Sequence, residues 1–159
     1  MLAALEAAKV RYVVIGGTAA AIRGATHVTF DLDVTPERSR ENLERLAAAL
    51  RTLNARLAEV PPDVSASFQL DGSSLGNGSI WTFETDHGRL DVTFEPSGTQ
   101  GYRDLRRDAD ETEIDGMRIV VASLADVIRS KEAADRPRDR AVLPDLRRTL
   151  ELQRRAERE

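Results

Sequence analysis

The apolar positions change period several times along the chain, and each change marks an element. Leu2, Leu5 and Ala8 recur at helical spacing, and Arg11 to Ile15 then form a β-branched and aromatic run, so a short helix leads into a strand. Gly16-Gly17 ends that strand, Thr18 is placed to cap the next helix, and Ala19-Ala20-Ala21-Ile22 forms its body before Gly24 stops it. From Val28 to Val34 the pattern alternates, with Val28, Phe30, Leu32 and Val34 on one face and Thr29, Asp31 and Asp33 on the other. Pro36 opens a long helix whose stripe is Leu43, Leu46, Ala47, Leu50, Leu53 and Leu57, and Pro61-Pro62 closes it.

Residues 63–79 are rich in Ser, Asp, Gly and Asn and read as loop, with one short strand around Ser67 to Leu70. Ile80 to Thr85 and Leu90 to Phe94 form a hairpin about Asp86-His87-Gly88, with Leu90, Val92 and Phe94 on one face and Asp91, Thr93 and Glu95 on the other. A short helix at Tyr102 to Arg107 precedes a second hairpin, Thr112 to Ile114 and Met117 to Val121, turning at Asp115-Gly116. Ser123 caps a helix carrying Leu124, Val127 and Ile128; Pro137 interrupts, and a last helix holds Leu143, Leu146 and Leu150. The expected class is α/β (α+β), one domain over 1–159, with a sheet-containing core at 1–122 and a helical part at 123–159.

Composition narrows the chemistry. With no cysteine among 159 residues, thiolate metal sites, disulfides and thiol nucleophiles are excluded, leaving oxygen ligands or the two histidines for any metal. No basic leader or long apolar run opens the chain, so the expectation is a cytoplasmic protein without membrane attachment. The net charge of −4 argues against a surface given over uniformly to nucleic acid. Arginines cluster after Arg103 but alternate with acids, which suits a solvated, ion-paired helical surface; a local basic groove is the sharper alternative.

Asp31 and Asp33, two apart on a strand, project together, and Asp91 repeats the pattern on another strand. Three carboxylates so placed suit hard divalent cations, Mg²⁺ (or Mn²⁺), and can serve two ions about 3.5 to 4 Å apart. Gly16, Gly17 and Thr18 at a strand end offer backbone N–H groups and a hydroxyl to a phosphate, although a glycine pair there is commonly only a turn. The longer glycine signatures of dinucleotide folds and P-loops are absent, as is a Gly-x-Ser-x-Gly elbow. Lys131 continues the stripe Leu124, Val127, Ile128 and can serve an anion or snorkel to solvent. His27 and His87 lack partners at metal-motif spacing and read as structural or surface residues, and Trp81 as a core or half-buried anchor.

The segments Val13-Val14-Ile15-Gly16-Gly17-Thr18-Ala19, Thr29-Phe30-Asp31-Leu32-Asp33-Val34 and Leu90-Asp91-Val92 together resemble the DNA polymerase β-like nucleotidyltransferase superfamily. The run Ser123 to Lys131, followed by Arg136-Pro137-Arg138-Asp139, points to its small bacterial and archaeal subgroup with the AbiEii and MenT-type toxins. The resemblance implies a nucleotidyltransferase-like mixed β-sheet flanked by helices, with two Mg²⁺ or Mn²⁺ ions held by Asp31, Asp33 and Asp91. It further implies an NTP substrate whose phosphates meet Gly16, Gly17, Thr18 and Lys131, with Asp91 helping to activate an acceptor hydroxyl and Asp139 orienting Lys131 or a nearby arginine. Many relatives carry His-Gly where this chain has Arg23-Gly24, and an arginine where it has His27, so the resemblance leaves open the phosphate or base contacts made at those positions.

The resemblance thus implies transfer of NMP to a hydroxyl with release of pyrophosphate. The expected acceptor is tRNA, in the manner of a toxin with a cognate antitoxin protein as partner. Two alternatives stand beside it: the same chemistry on a protein or an aminoglycoside-like small molecule, and a noncatalytic module that binds nucleotide or a partner protein.

Overall fold

The computed structural model describes residues 1–26 and 29–158. Among these, seven strands form one mixed sheet: β1 (Tyr12–Val14), β2 (Leu32–Pro36), β3 (Arg56–Leu57), β4 (Ile80–Thr85), β5 (Gly88–Thr93), β6 (Asp110–Ile114) and β7 (Met117–Val121), in the order β3-β4-β5-β2-β1-β7-β6. Helices α1 (Leu2–Ala7), α2 (Gly16–Ile22), α3 (Arg40–Thr52), α4 (Pro62–Ser67), α5 (Gly72–Gly76), α6 (Tyr102–Arg107), α7 (Leu124–Ala134) and α8 (Pro137–Ala156) flank it.

All three residues of β1 are buried, which explains its unbroken apolar run: a central strand covered on both faces needs no polar alternation. It pairs antiparallel with β2 and parallel with β7, while β2 pairs parallel with β5. The two hairpins lie where alternation places them, β4 on β5 and β6 on β7. Asp115 and Gly116 close the second in left-handed backbone, φ +50° and +77°. Phe83 and Leu90 face each other across the first hairpin and are fully buried. Ser123 caps α7 by accepting from the Asp126 amide, and Pro137 stands at the start of α8, where its missing N–H costs nothing.

Several expectations are corrected. The alternating strand begins at Leu32, not Val28: Thr29 and Phe30 lie outside it, Asp31 is at a bend, and Phe30 is 89% exposed; Val28 lies outside the described residues. The Asp31 carbonyl accepts from the Thr18 hydroxyl at 2.8 Å. Thr18 therefore does not cap α2, whose capping position is Ile15 without a side-chain bond. Pro36 ends β2 opposite Tyr12 instead of opening α3, which is capped by Ser39. The stripe of α3 is buried as expected through Leu53, but Leu57 belongs to β3. Asn54 adopts φ +51° just past the helix, and the amide of Ala55 returns to the Leu50 carbonyl, a left-handed stop that asparagine tolerates. Between 62 and 76 the chain forms α4 and α5, and no strand at Ser67 to Leu70; Pro62 starts the first helix and the Asp71 carboxylate caps the second, accepting from Ser74.

Candidate active site

The site is built on one row of the sheet. The Ile15 amide donates to the Asp33 carbonyl at 3.0 Å, Asp33 stands in register with Asp91, and Asp91 with Thr82. Residues level with one another on neighbouring strands point to the same face, with backbones about 4.8 Å apart. All four line a cleft of about 520 Å³, together with Gly16, Gly17 and Asp31 on one side and Lys131, Arg138 and Asp139 on the other. Thr18 is not brought to the cleft wall; its hydroxyl fixes the bend that presents Asp31.

Gly16 is demanded by Asp33. Its φ is +62°, and a Cβ there would lie 2.5 Å from Asp33 Oδ2 and 2.9 Å from Cγ. The backbone of the first turn thus runs directly against the carboxylate, an approach no other residue allows. Gly17 is nearly as constrained, since a Cβ would stand 3.0 Å from that of Thr29.

Burial pushes the Asp33 carboxyl up to about 6, and the negative charges of Asp91 and Asp31 push it the same way, against the weaker pull of Lys131 and Arg138. Asp139 behaves in the opposite sense. Its burial, at 1% exposed, opposes ionisation, yet hydrogen bonds from Arg136 Nε (2.6 Å) and Lys131 Nζ (3.0 Å) hold it below the usual carboxylate range. Lys131 is thereby fixed at the cleft wall, 17% exposed, by a carboxylate eight residues on.

The donor set is oxygen only, and the mutual repulsion around Asp33 is what a divalent cation would relieve. Among the described residues no three acidic or imidazole groups close round one point. Asp91 is turned toward Arg89, whose Nε donates to its Oδ1 at 3.4 Å. The residues fit a hard cation in donor type and charge.

Several cleft residues escape motif reading. Arg89 and Thr82 join through strand register, Arg138 through the start of α8, and only Arg89 carries a local signal, its place two residues before Asp91 on the polar face. Arg23 is taken up structurally, donating to the carbonyls of Val121 and Ala122 and to Asp110. His87 is exposed in the hairpin turn, Trp81 is half-buried with its Nε1 on the Leu75 carbonyl, and His27 lies outside the described residues.

No family model matches the sequence, and no protein of curated function matches it. Solved structures do match. The lincomycin-bound lincosamide antibiotic adenylyltransferase LnuA superposes with a TM-score of 0.60 at 15% identity, over 92% of this chain and 91% of its own. ANT(2'')-Ia in complex with adenylyl-2''-tobramycin does so with a TM-score of 0.59 at 18% identity, over 94% and 84%. The solution structure of the antibiotic-resistance factor ANT(2'')-Ia gives 0.56 at 18%, over 99% and 86%. The fold is nucleotidyltransferase-like. Within that fold nothing in the likeness singles out the AbiEii or MenT-type subgroup. Among the described residues no helix is long and apolar enough to cross a membrane.

Proposed function

We propose that this chain transfers NMP from an NTP to a hydroxyl of a small-molecule acceptor. The observation that carries the reading is the register of Asp33 with Asp91, abutted by Gly16 and faced by Lys131 across one cleft. Asp31, Asp33 and Asp91 would hold the divalent ions, which supply charge neutralisation at the reacting phosphate. Gly16 and Gly17 would form the floor under the triphosphate, and Lys131, with the exposed Arg138 beside it, would take the charge of its outer phosphates. Asp139, bonded to its Nζ at 3.0 Å, would hold Lys131 in place at the cleft wall. The acceptor hydroxyl gives its proton toward Asp91 as its oxygen bonds to the α-phosphorus, and the bond to the bridging oxygen breaks to release pyrophosphate.

A small acceptor is favoured over tRNA for two reasons. Both named neighbours are antibiotic-modifying or antibiotic-resistance proteins that match along most of their length. About half of the late arginines are paired with local acids: Arg106 with Glu111, Arg107 and Arg129 with Asp104, Arg140 with Asp135, Arg147 with Glu132 and Arg155 with Glu151. That pairing reduces the charge this surface offers to a phosphate backbone.

The test is incubation with each α-labelled NTP and Mg²⁺, alone or with panels of aminoglycosides, lincosamides and total tRNA, beside an Asp31→Ala, Asp33→Ala double variant. Label on a small molecule with wild type alone supports the reading. Label on RNA keeps the chemistry and returns the acceptor to tRNA, the context in which a toxin and antitoxin pair would make sense. No metal-dependent label on any acceptor, or on lysate, overturns the enzyme reading in favour of a binding module.

A further inference from the structure

The charges of the cleft are compensated unevenly. Asp139 takes both Lys131 and Arg136. Among the described residues Asp33 has no ion-pair partner, whereas Asp91 has Arg89. Arg89 lies two residues before Asp91 on β5 and shares its face, so its guanidinium reaches along the strand into the carboxylate row. Its two contacts differ in quality. Nη1 donates to Glu59 Oε1 at 3.0 Å, an ordinary ion pair, while Nε reaches Asp91 Oδ1 only at 3.4 Å, at the edge of hydrogen bonding.

Glu59 is outside the cleft wall, 74% exposed at its side chain, in the connection between β3 and α4. Its backbone adopts φ +60°, an unfavourable conformation for a residue with a Cβ. Glu84, in register with Arg89 on β4, adds a second exposed acid on the outer side. The guanidinium is therefore suspended between an inner carboxylate that it holds weakly and an outer one that it holds well. The planar fork of arginine can keep one such contact while releasing the other.

We propose that Arg89 is a built-in counter-ion that covers Asp91 in the metal-free protein and passes to Glu59 alone when a divalent cation enters the carboxylate row. This rests on the metal-binding reading of Asp31, Asp33 and Asp91. Arg89 and the cation compete for one carboxylate, and Glu59 sets the terms by stabilising the released guanidinium.

The two ends of the relay act with opposite sign, which makes the idea testable without turnover. Mn²⁺ alone is titrated into the full chain and its affinity read from the loss of the free-ion paramagnetic resonance signal, with circular dichroism confirming that each variant is folded. Arg89→Gln removes the competitor and should tighten Mn²⁺ binding by about two- to five-fold, the scale of a partly exposed ion pair. Glu59→Gln removes the acceptor of the released guanidinium and should weaken binding by a similar factor. If wild type binds Mn²⁺ and the two variants match it, or shift together, Arg89 is a structural tie and the relay is wrong while the metal site stands. If wild type binds no Mn²⁺, the metal reading falls and the relay with it. Should Arg89→Gln fold poorly, Glu59→Gln on its exposed loop decides the sign.

Discussion

Replacing Asp33 by asparagine should make the protein more stable, and the gain should depend on pH. The carboxyl is raised from 3.8 to about 6 by burial and by Asp91 and Asp31, so between those values the folded chain holds a proton that the unfolded chain has lost. The stability Asp33 contributes is thus fully present below about pH 4 and is lost as pH rises through its folded value. A tenfold change in proton affinity is worth about 1.4 kcal/mol, so the charged carboxylate costs the metal-free fold about 3 kcal/mol at neutral pH and above. Asparagine has nearly the same shape and no charge to bury. Urea unfolding with a chelator present should therefore find Asp33→Asn and wild type about equal near pH 4, and the variant ahead by about 2 to 3 kcal/mol near pH 8, or roughly 5–10 °C in Tm. Added Mn²⁺ should narrow the gap, because binding to the folded state raises the stability of wild type. A difference of the same size at both pH values, or a variant less stable at pH 8, would refute the argument that Asp33 is held against its own electrostatics. The same substitution should abolish nucleotide transfer, so stability and activity would move in opposite directions.

Two further substitutions probe the walls of the cleft. Gly16→Ala forces a Cβ into the Asp33 carboxylate from a left-handed backbone; it should cost about 1 to 2 kcal/mol in urea unfolding and reduce transfer by about 100-fold in a folded protein. Asp139→Asn leaves Lys131 and Arg136 facing a neutral amide at a position that is 1% exposed. Its unfolding free energy should fall by about 2 to 3 kcal/mol, less than a fully buried pair would lose because Arg136 can turn to solvent, and the KM for NTP should rise as Lys131 loses its anchor.

What could be read from the sequence followed local rules. The hairpins of β4 with β5 and β6 with β7, the Ser123 cap and the buried stripe of α3 each depend on residues within a few positions of one another. The misreadings came where a distant partner outvoted the local pattern. Phe30 continues an apolar alternation but is exposed because the chain leaves the sheet at a bend tied to Thr18, and Leu57 continues a helical stripe that Asn54 has already ended. The candidate residues at the cleft show the same division. Asp31, Asp33, Asp91 and Lys131 could be proposed from their strands, helix and family likeness, and the structure brings all four to one cavity, whereas Thr18 is spent on a backbone carbonyl. Arg138, Thr82 and the outward hold of Glu59 on Arg89 depend on tertiary register and had no signal strong enough to find alone.

The parallel pairing of β2 with β5 also sets an order in time. Asp33 and Asp91 are neighbours only across a connection that must first wind α3 and lay down β4, and such long crossovers are among the slower contacts a chain makes. The juxtaposition of Asp33 with Asp91 therefore requires the chain as far as β5, whereas Asp31 and Asp33 are close in sequence from the start. A cation that needed all three carboxylates would find them together only once β5 had joined β2, so the proposed site would be completed by a long-range contact and not by a local one.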